Sequence, residues 1–246
     1  MVKREMQARY AGSALGVVWA YVQPLLTVAV YFLVFDIVFG MRMGDQAPTQ
    51  RVGTYLVVGA LPWLAFCESV SRGASSLVDA GSVLQKNALP PFLFVMRSVI
   101  ASALAFVPIM LLLPVIYVYL TGYWQGLWSF PLLLALQWAL SYLFAYVLAI
   151  LTAASRDTTQ VLSFGLSIGI YLSPILFPMD LFPSEWSWVL FINPMTSLVL
   201  SYQAVLLKGE VPDAVLWINL TGWIAVLTIL LKSMISKSRD ELVDWL

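Results

Sequence analysis

The stretch GVVWAYVQPLLTVAVYFLVFDIVFGM, residues 16–41, decides the class of fold to which this chain belongs. It is predominantly apolar and contains a single charged side chain, Asp36. A helix needs roughly 20 apolar residues to cross the ~30 Å hydrocarbon core of a bilayer, and this stretch is longer than that. Lys3 and Arg4 precede it as in a signal peptide, but the apolar run continues without a small-residue cleavage site. We therefore interpret it as a retained membrane span.

The same test identifies further membrane spans along the rest of the chain. They are residues 53–72, 92–120, 131–154, 161–178 and 215–235. The composition agrees, because 61% of the residues are hydrophobic and 11% are charged, whereas soluble domains carry about a quarter charged residues. Internal prolines predict kinks and do not exclude these spans, since neighbouring helices can satisfy the freed carbonyl groups. The sequence predicts an all-α integral membrane protein with one domain, residues 1–246, and six transmembrane helices.

Residues 186–207 are also apolar enough to span, but Asn193-Pro194 divides them into two short pieces. The distribution of basic residues decides between six and seven spans. With six spans and the N-terminus inside, Arg42, Arg51 and Lys208 lie outside, and the other ten of the 13 basic residues lie inside. We therefore predict cytoplasmic termini and an external segment over residues 180–214, which holds a re-entrant or interfacial helical hairpin between helices five and six.

The composition excludes several classes of function. The formal net charge is zero, so no overall field attracts nucleic acid. One cysteine, Cys67, and no histidine leave no plausible disulfide framework and no zinc, haem or iron–sulfur site. The glycine-rich phosphate-binding sequence that ends in GK[ST] is missing, because the Lys208-Gly209 pair has the reverse order. We expect no cofactor on this chain, and any ATP that drives it must bind another chain.

The N-terminal segment has the pattern of a helix that lies in the headgroup plane of a membrane. Residues 2–14, within a predicted interfacial helix over 1–15, place Lys3, Arg4 and Arg9 among apolar side chains. The alternative is a basic flank that only sets the topology of the first span.

The loop over residues 75–90 has a second amphipathic pattern. Its apolar residues Leu77, Val78, Val83 and Leu84 alternate with Asp79, Gln85, Lys86 and Asn87 before Pro90-Pro91. The pattern predicts a short helix outside the membrane that lies against the bilayer surface or against another protein.

Several short stretches follow one another at characteristic spacings along the chain. They are Arg9-Tyr10-Ala11-Gly12-Ser13-Ala14-Leu15-Gly16, Val18-Trp19, Gln23-Pro24-Leu25, Asn87-Ala88-Leu89-Pro90, Arg156-Asp157, Ser173-Pro174-Ile175-Leu176 and Asn193-Pro194. In order and spacing, over nearly the whole chain, they resemble the membrane subunits of the ATP-binding-cassette exporters that move O-antigen, capsule and teichoic acid polymers. No single stretch is specific, but this many in register are hard to obtain by chance.

This resemblance implies a homodimer in the bacterial cytoplasmic (inner) membrane, with a pore between the protomers and two copies of an ATPase subunit beneath them. ATP and Mg would bind to those ATPases. The resemblance also implies that the helix over 75–87 is the coupling element and that the external hairpin caps the exit near Asn193 and Pro194. The candidate coupling residues are Leu77, Asp79, Val83, Leu84, Lys86, Arg156 and Asp157. This chain has almost nothing before its interfacial helix, which leaves a longer natural start open.

A polysaccharide path needs hydrogen-bonding groups and flat apolar faces, without charges that would hold the polymer too tightly. The first span carries such groups on one helical face, namely Gln23, Thr27, Tyr31 and Phe35. The fifth span carries a second set, namely Ser163, Ser167, Tyr171 and Pro174. We predict that both stripes line the substrate path. The alternative is helix packing, in which small polar residues let helices approach closely.

Charged residues inside predicted spans need an explanation, because the burial of a charge in a bilayer is costly. Asp36 lies toward the outer end of the first span, where a functional role competes with contact to external water or a neighbouring donor. Glu68 and Arg72 are one helical turn apart on the second span, and we interpret them as a structural ion pair.

These features predict ATP-driven export of a lipid-linked, O-antigen-like polysaccharide by a non-catalytic permease subunit. A polyprenyl-linked substrate must present its diphosphate at the cytoplasmic interface, and we expect Lys3, Arg4 and above all Arg9 to receive it. The alternative within transport is a drug, antibiotic or small-lipid exporter of the same architecture. A membrane glycosyltransferase or polymerase is disfavoured, because the acidic residues of the external segment are scattered and no histidine accompanies them.

Overall fold

The computed structural model describes residues 2–40, 42, 49, 51–87, 89–238 and 242–245. Within these ranges the chain is helical, and its β pairing is limited to one isolated bridge between Arg42 and Arg51. The helices are α1 (Val2–Arg9), α2 (Trp19–Tyr31), α3 (Val52–Asp79), α4 (Gly81–Lys86), α5 (Phe92–Thr121), α6 (Phe130–Ala154), α7 (Thr158–Gly169), α8 (Ser187–Leu190), α9 (Pro194–Gln203), α10 (Ala214–Ser238) and α11 (Leu242–Trp245). Helix α2 continues as a π-helical stretch, Phe32–Val38.

Five helical stretches are long and apolar enough to cross a membrane. They are Gly16–Val38, Val52–Asp79, Phe92–Thr121, Leu127–Ala154 and Ala214–Ser238. A sixth candidate is the pair Ser184–Leu190 and Pro194–Lys208, which bends by 108° and forms either a broken span or a re-entrant loop. The prediction of an all-helical membrane protein is therefore confirmed, and the number of candidate spans is five or six.

The predicted fifth span over residues 161–178 differs from the structure. Helix α7 has 12 residues, and at ~1.5 Å per residue it covers only about 18 Å of a ~30 Å core. It ends where Gly169 lies against Trp63, since a Cβ atom at Gly169 would be 2.5 Å from Trp63 Cη2. Residues 170–178 continue without regular helix, because Pro174 has no N–H group to donate to the preceding turn. An apolar run of sufficient length therefore does not form one straight helix here.

Helix α3 is the centre of the bundle. It packs against α5, α6, α7 and α9. In its most apolar part 72% of the residues are buried, compared with 22% for α10 and 11% for Gly16–Val38. Its residues Tyr55, Leu61 and Val70 are completely buried. The first and last spans therefore leave most of their surface to lipid or to other chains.

Helix α3 also extends further past the predicted second span, residues 53–72, than the sequence indicated. It continues unbroken to Asp79, because Gly73 and Leu77 are buried and keep this end of the helix packed. The short helix α4 follows after a one-residue break. The single helix predicted over 75–87 is thus two helices, and the first of them is part of the second span. Helix α1 is likewise shorter than the interfacial helix predicted over 1–15.

The contact between α3 and α6 predicts the effect of a methyl group at Gly73. A Cβ atom there would lie 2.5 Å from Ala145 Cβ and 3.4 Å from Val99 Cγ2, so Gly73→Ala must push the helices apart. We expect a loss of about 1–3 kcal/mol, seen as a lower melting temperature of the detergent-solubilised protein. Gly222→Ala is the matched control, because a Cβ atom at Gly222 meets nothing within 4 Å. Equal melting temperatures for the two variants would contradict this packing.

Candidate functional site

The polar stripe of the first span faces away from the core of the chain. Gln23 is exposed, and Thr27 and Tyr31 are partly exposed. They line an open groove of about 360 Å³ together with Trp19, Leu26 and Val30. The Thr27 hydroxyl donates to the Gln23 carbonyl oxygen at 3.1 Å, within its own helix. The groove therefore offers amide and phenol groups beside aromatic and aliphatic surface.

The stripe on α7 is also left open by the chain. Ser163 and Ser167 are exposed, and Tyr171, just after the helix, is 66% exposed. The two serine hydroxyls donate to carbonyl groups of their own helix, those of Thr159 and Phe164. Pro174, the last residue of the predicted stripe, is instead buried. Packing within one chain does not account for the exposed residues, so this face is free for another chain or a solute.

A more enclosed cavity of about 210 Å³ lies beside the first groove. Helices α1, α2, α3 and α5 surround it, and Gln23 and Thr27 border it as they border the groove. Its charged lining residues are Arg9 and Glu68. In the described part of the chain, no cluster of three or more histidine, cysteine or acidic side chains could hold a metal ion.

The C-terminal end of the first span is tied to the start of α3. The Phe35 ring lies with its centroid 6.4 Å from that of Tyr31. The next residue, Asp36, accepts a hydrogen bond from the Gly53 N–H at 2.7 Å and another from Thr54 Oγ1 at 3.2 Å. Asp36 therefore satisfies free donors at the start of α3, which agrees with its interpretation as a carboxylate held by neighbouring donors.

The irregular segment after α7 is held by side-chain hydrogen bonds to its carbonyl groups. The Tyr55 hydroxyl lies 2.8 Å from the Pro174 carbonyl oxygen and 2.9 Å from that of Phe177. Gln203 Nε2 donates to the same Pro174 carbonyl at 2.8 Å. Non-helical backbone is tolerated inside a membrane protein where other groups satisfy it in this way. Sequence reasoning missed Tyr55 and Gln203, although each is a polar residue within an apolar stretch.

A second buried pair joins α6 and α9. The Tyr202 hydroxyl donates to Gln137 Oε1 at 2.7 Å, and Gln137 Nε2 donates to the Pro62 carbonyl oxygen at 3.0 Å. All three residues are buried. Helix α9 is thus fixed inside the bundle between α3 and α6.

Asn193 and Pro194 start helix α9. Asn193 Oδ1 accepts from the Met195 N–H at 3.0 Å, and Pro194 occupies the first helical turn, as in many helix starts. Asn193 Nδ2 donates to Ser173 Oγ at 2.7 Å and so links the hairpin to the segment after α7. These two residues therefore set the sharp turn between α8 and α9.

The candidate coupling residues fall into two groups. Leu77 and Leu84 are buried and pack in the core with residues of α5 and α6, so their side chains do not belong to the exposed surface of this segment. The exposed candidates are Asp79, Val83, Lys86, Arg156 and Asp157. Of the predicted coupling residues, only this second group is available to a docking surface, because the amphipathic pattern reflected packing within the chain.

The basic residues predicted to bind a lipid carrier also differ in their exposure. Lys3 is exposed, and the Arg4 side chain lies outside the described part of the structure. The Arg9 side chain is only 7% exposed and donates to Ser98 and Ser102 on α5. Burial, and then the charge of Arg72, lowers the pKa of Arg9. Arg9 thus faces the bundle, which the sequence could not indicate.

Comparison with known proteins decides the class of transporter. The family model described as ABC-2 type transporter matches residues 1–207, most of the chain. The chain belongs to the ABC-2 type transporter family. The groove, the inner cavity and the hairpin described above all lie largely within the matched residues.

Relatives of this ABC-2 type transporter chain are named as export or transport proteins. The O-antigen export system permease protein RfbA of Myxococcus xanthus is 32% identical to this chain, and the alignment covers 99% of this chain and 93% of the relative. An O-antigen export system permease protein RfbA of Klebsiella pneumoniae is 26% identical, and the alignment covers 85% of this chain and 79% of the relative. The polysialic acid transport protein KpsM of Escherichia coli is 21% identical, and the alignment covers 97% of this chain and 91% of the relative. The resemblance inferred from the short sequence stretches is confirmed.

The contacts between the Tyr55 hydroxyl and two carbonyl groups predict how this ABC-2 type transporter chain responds when the hydroxyl is removed. Tyr55→Phe removes the hydroxyl and leaves buried carbonyl oxygens of Pro174 and Phe177 with fewer donors. We expect a loss of about 1–3 kcal/mol and faster hydrogen exchange over residues 170–178. Tyr171→Phe is the control, since that ring is exposed. Unchanged exchange in Tyr55→Phe would show that this hydroxyl does not hold the segment.

Proposed function

We propose that this chain is the transmembrane subunit of an ATP-driven exporter that moves a lipid-linked polysaccharide across a bacterial cytoplasmic membrane. The observation that carries the proposal is the pair of open, uncharged faces on α2 and α7, formed by Gln23, Thr27, Tyr31, Ser163, Ser167 and Tyr171. Relatives named as export permeases for O-antigen and as a polysialic acid transport protein support the same substrate class.

The chemistry of the two faces fits a sugar polymer. Amide and hydroxyl groups can exchange hydrogen bonds with sugar hydroxyls, and aromatic rings offer flat surfaces to sugar rings. Neither stripe contains a charged side chain, so no strong ion pair would hold a polymer in place. Many weak and similar contacts suit a substrate that must slide through the protein.

A second copy of the chain would complete the path. The first span buries only 11% of its most apolar part within one chain, and the α7 stripe is exposed as well. In a symmetric dimer the same faces of both copies would meet, which encloses a path lined by two sets of stripes. The observed faces are thus consistent with a homodimer whose pore lies between protomers.

ATP hydrolysis belongs, in this proposal, to a separate pair of ATPase subunits that bind ATP and Mg. The sequence of this chain has no phosphate-binding GK[ST] loop. The exposed residues Asp79, Val83, Lys86, Arg156 and Asp157 are the surface proposed to contact the ATPase. Because α3 is one helix from Val52 to Asp79, movement at this surface would reach the centre of the bundle directly.

The lipid carrier is proposed to approach along α1, with both termini of the chain in the cytoplasm. This topology requires that α7 and the irregular residues 170–178 together cross the membrane. Lys3 is an exposed cation on α1 that can attract a polyprenyl diphosphate, at on the order of 1 kcal/mol per cation near the membrane surface. The hairpin around Asn193 and Pro194 is proposed to cover the outer exit of the path.

The path itself predicts that bulky or charged replacements on the stripes block export. We expect Thr27→Arg and Ser167→Trp to abolish export while protein level and dimer formation remain. Ile229→Trp on α10 is the matched control, because that side chain is also exposed, at 71%, but lies on neither stripe.

The same positions can be tested for contact with water. Single cysteines at 27, 31, 167 and 171 in a Cys67→Ser background should react with a water-soluble maleimide in at least one state of transport. Complete protection of all four positions would identify the stripes as packing seams and would overturn the proposed path.

The coupling surface predicts different outcomes for two neighbouring residues. Val83 is 41% exposed, so Val83→Asp should leave the fold intact and weaken co-purification of the ATPase about tenfold. Leu84 is buried, so Leu84→Asp should instead lower the yield of folded protein, because it buries an unpaired charge. Wild-type co-purification and export in Val83→Asp would indicate that this segment rests on the bilayer surface.

A further inference from the structure

Five charged side chains meet where α1 crosses the bundle. They are Glu5 and Arg9 on α1, Glu68 and Arg72 on α3, and Arg97 on α5. The group contains three cations and two carboxylates, so the guanidinium groups compete for acceptors. None of the functions proposed above requires Glu68, Arg72 or Arg97.

One side of this cluster is firmly bonded. Arg97 Nη2 lies 2.9 Å from Glu5 Oε2. Arg9 Nη2 donates to the Ser98 carbonyl oxygen at 3.0 Å, and Arg9 Nη1 lies 3.3 Å from Ser102 Oγ. Arg97, Ser98 and Ser102 are all on α5, so these contacts join α1 to α5 as one unit.

The other side, toward α3, is looser. Arg72 Nε donates to Glu68 Oε1 within α3. The same oxygen lies 3.9 Å from Arg9 Nη1, too far for a hydrogen bond. Arg9 Nε is buried, forms no hydrogen bond within the described part of the chain, and lies 3.5 Å from Glu5 Oε1 within α1. One carboxylate oxygen of Glu68 therefore lies between a cation of its own helix, Arg72, and a cation of α1, Arg9.

The looser contact borders the inner cavity of about 210 Å³. Arg9 and Glu68 both line it, as do Gln23 and Thr27 of the first stripe. The cavity also contains Cys67, the neighbour of Glu68 and the sole cysteine of the chain. The contact between Arg9 of α1 and Glu68 of α3 therefore lies at the wall of this cavity.

We infer that Glu68 is a positioning residue that exchanges between Arg72 and Arg9 and thereby opens and closes the inner cavity of the transport path. In this structure Glu68 bonds to Arg72 and the cavity is open. Transfer of the carboxylate to Arg9 draws α3 against the unit of α1 and α5 and closes the cavity.

The two pairings are close enough in free energy for such an exchange. The pair with Arg72 is local, one helical turn apart, and both side chains are partly exposed, at 31% and 40%, so water screens their attraction. The pair with Arg9 places Glu68 beside a buried cation, where attraction is stronger but the carboxylate loses more water. Movement of α3 can tip this balance, and Asp79 at its cytoplasmic end lies about 16 Å from Glu68 at ~1.5 Å per residue. The link from α3 to ATP rests on the proposed function.

The native Cys67 thiol reports the state of the cavity. In membranes that contain the full-length chain, the rate of alkylation by a water-soluble maleimide is measured for each variant. Arg72→Gln leaves Arg9 as the available partner of Glu68, so we expect alkylation about fivefold slower than in the wild type. Adding Arg9→Gln or Glu68→Gln to Arg72→Gln should restore the faster rate. Arg72→Lys, which keeps a cation, and Lys237→Gln, which removes an exposed cytoplasmic cation, should react like the wild type.

A merely structural cluster gives a different pattern, because loss of any member loosens the bundle and speeds alkylation. Faster or unchanged alkylation in Arg72→Gln overturns the inference, and so does slow alkylation that persists without Arg9. Should Arg9→Gln lower the yield, Arg9→Lys in the Arg72→Gln background replaces it and should keep the slow rate. Export is measured separately. If the wild-type transporter shows no polysaccharide export but the variants show the expected alkylation pattern, the proposed function is wrong and the Glu68 exchange still stands.

Discussion

Backbone carbonyl groups inside a membrane protein have no bulk water to satisfy them, and this constraint governs how the chain can depart from straight helices. The segment after α7 leaves the helix near Gly169, and its Pro174 and Phe177 carbonyl groups meet Tyr55 and Gln203 instead of water. The donors come from α3 and α9, so the irregular segment, the hairpin and the central helix depend on one another. The sharp turn at Asn193 is joined to the same segment by the hydrogen bond from Asn193 Nδ2 to Ser173 Oγ.

Polar groups are divided between two settings in this protein. Buried ones, such as Gln137 and Tyr202, bond to each other or to backbone and fix the positions of helices. The stripes on α2 and α7 bond only within their own helices and leave their outer surfaces open. A transporter needs both, since the first set holds the scaffold while the second can exchange weak contacts with a moving substrate. The stripes themselves carry no charged side chain, and a charged cluster lies where α1 meets α3 and α5, beside the first stripe.

The family resemblance and the membrane class followed from the sequence, because both depend on local composition and on short stretches in order. The residues of the candidate site could be predicted from the sequence only in part. Leu77 and Leu84 showed the amphipathic spacing of a docking helix, yet both pack inside the chain. Arg9 had the position of a headgroup ligand, yet its guanidinium faces Ser98 and Ser102. Amphipathic spacing identifies a buried face but does not say which surface covers it.

The sequence by itself determined that the chain is a bundle of membrane helices, since long apolar runs cannot remain in water and must form helices in lipid. It also placed the break at Asn193-Pro194, because asparagine is a favoured helix cap and proline is favoured in the first helical turn and breaks a preceding helix. Only the tertiary structure decided that the predicted fifth span stops at Gly169 and that Glu68 stands between Arg9 and Arg72. Those outcomes depend on contacts between residues far apart in the chain, and no local pattern specifies which distant donor or cation will be near.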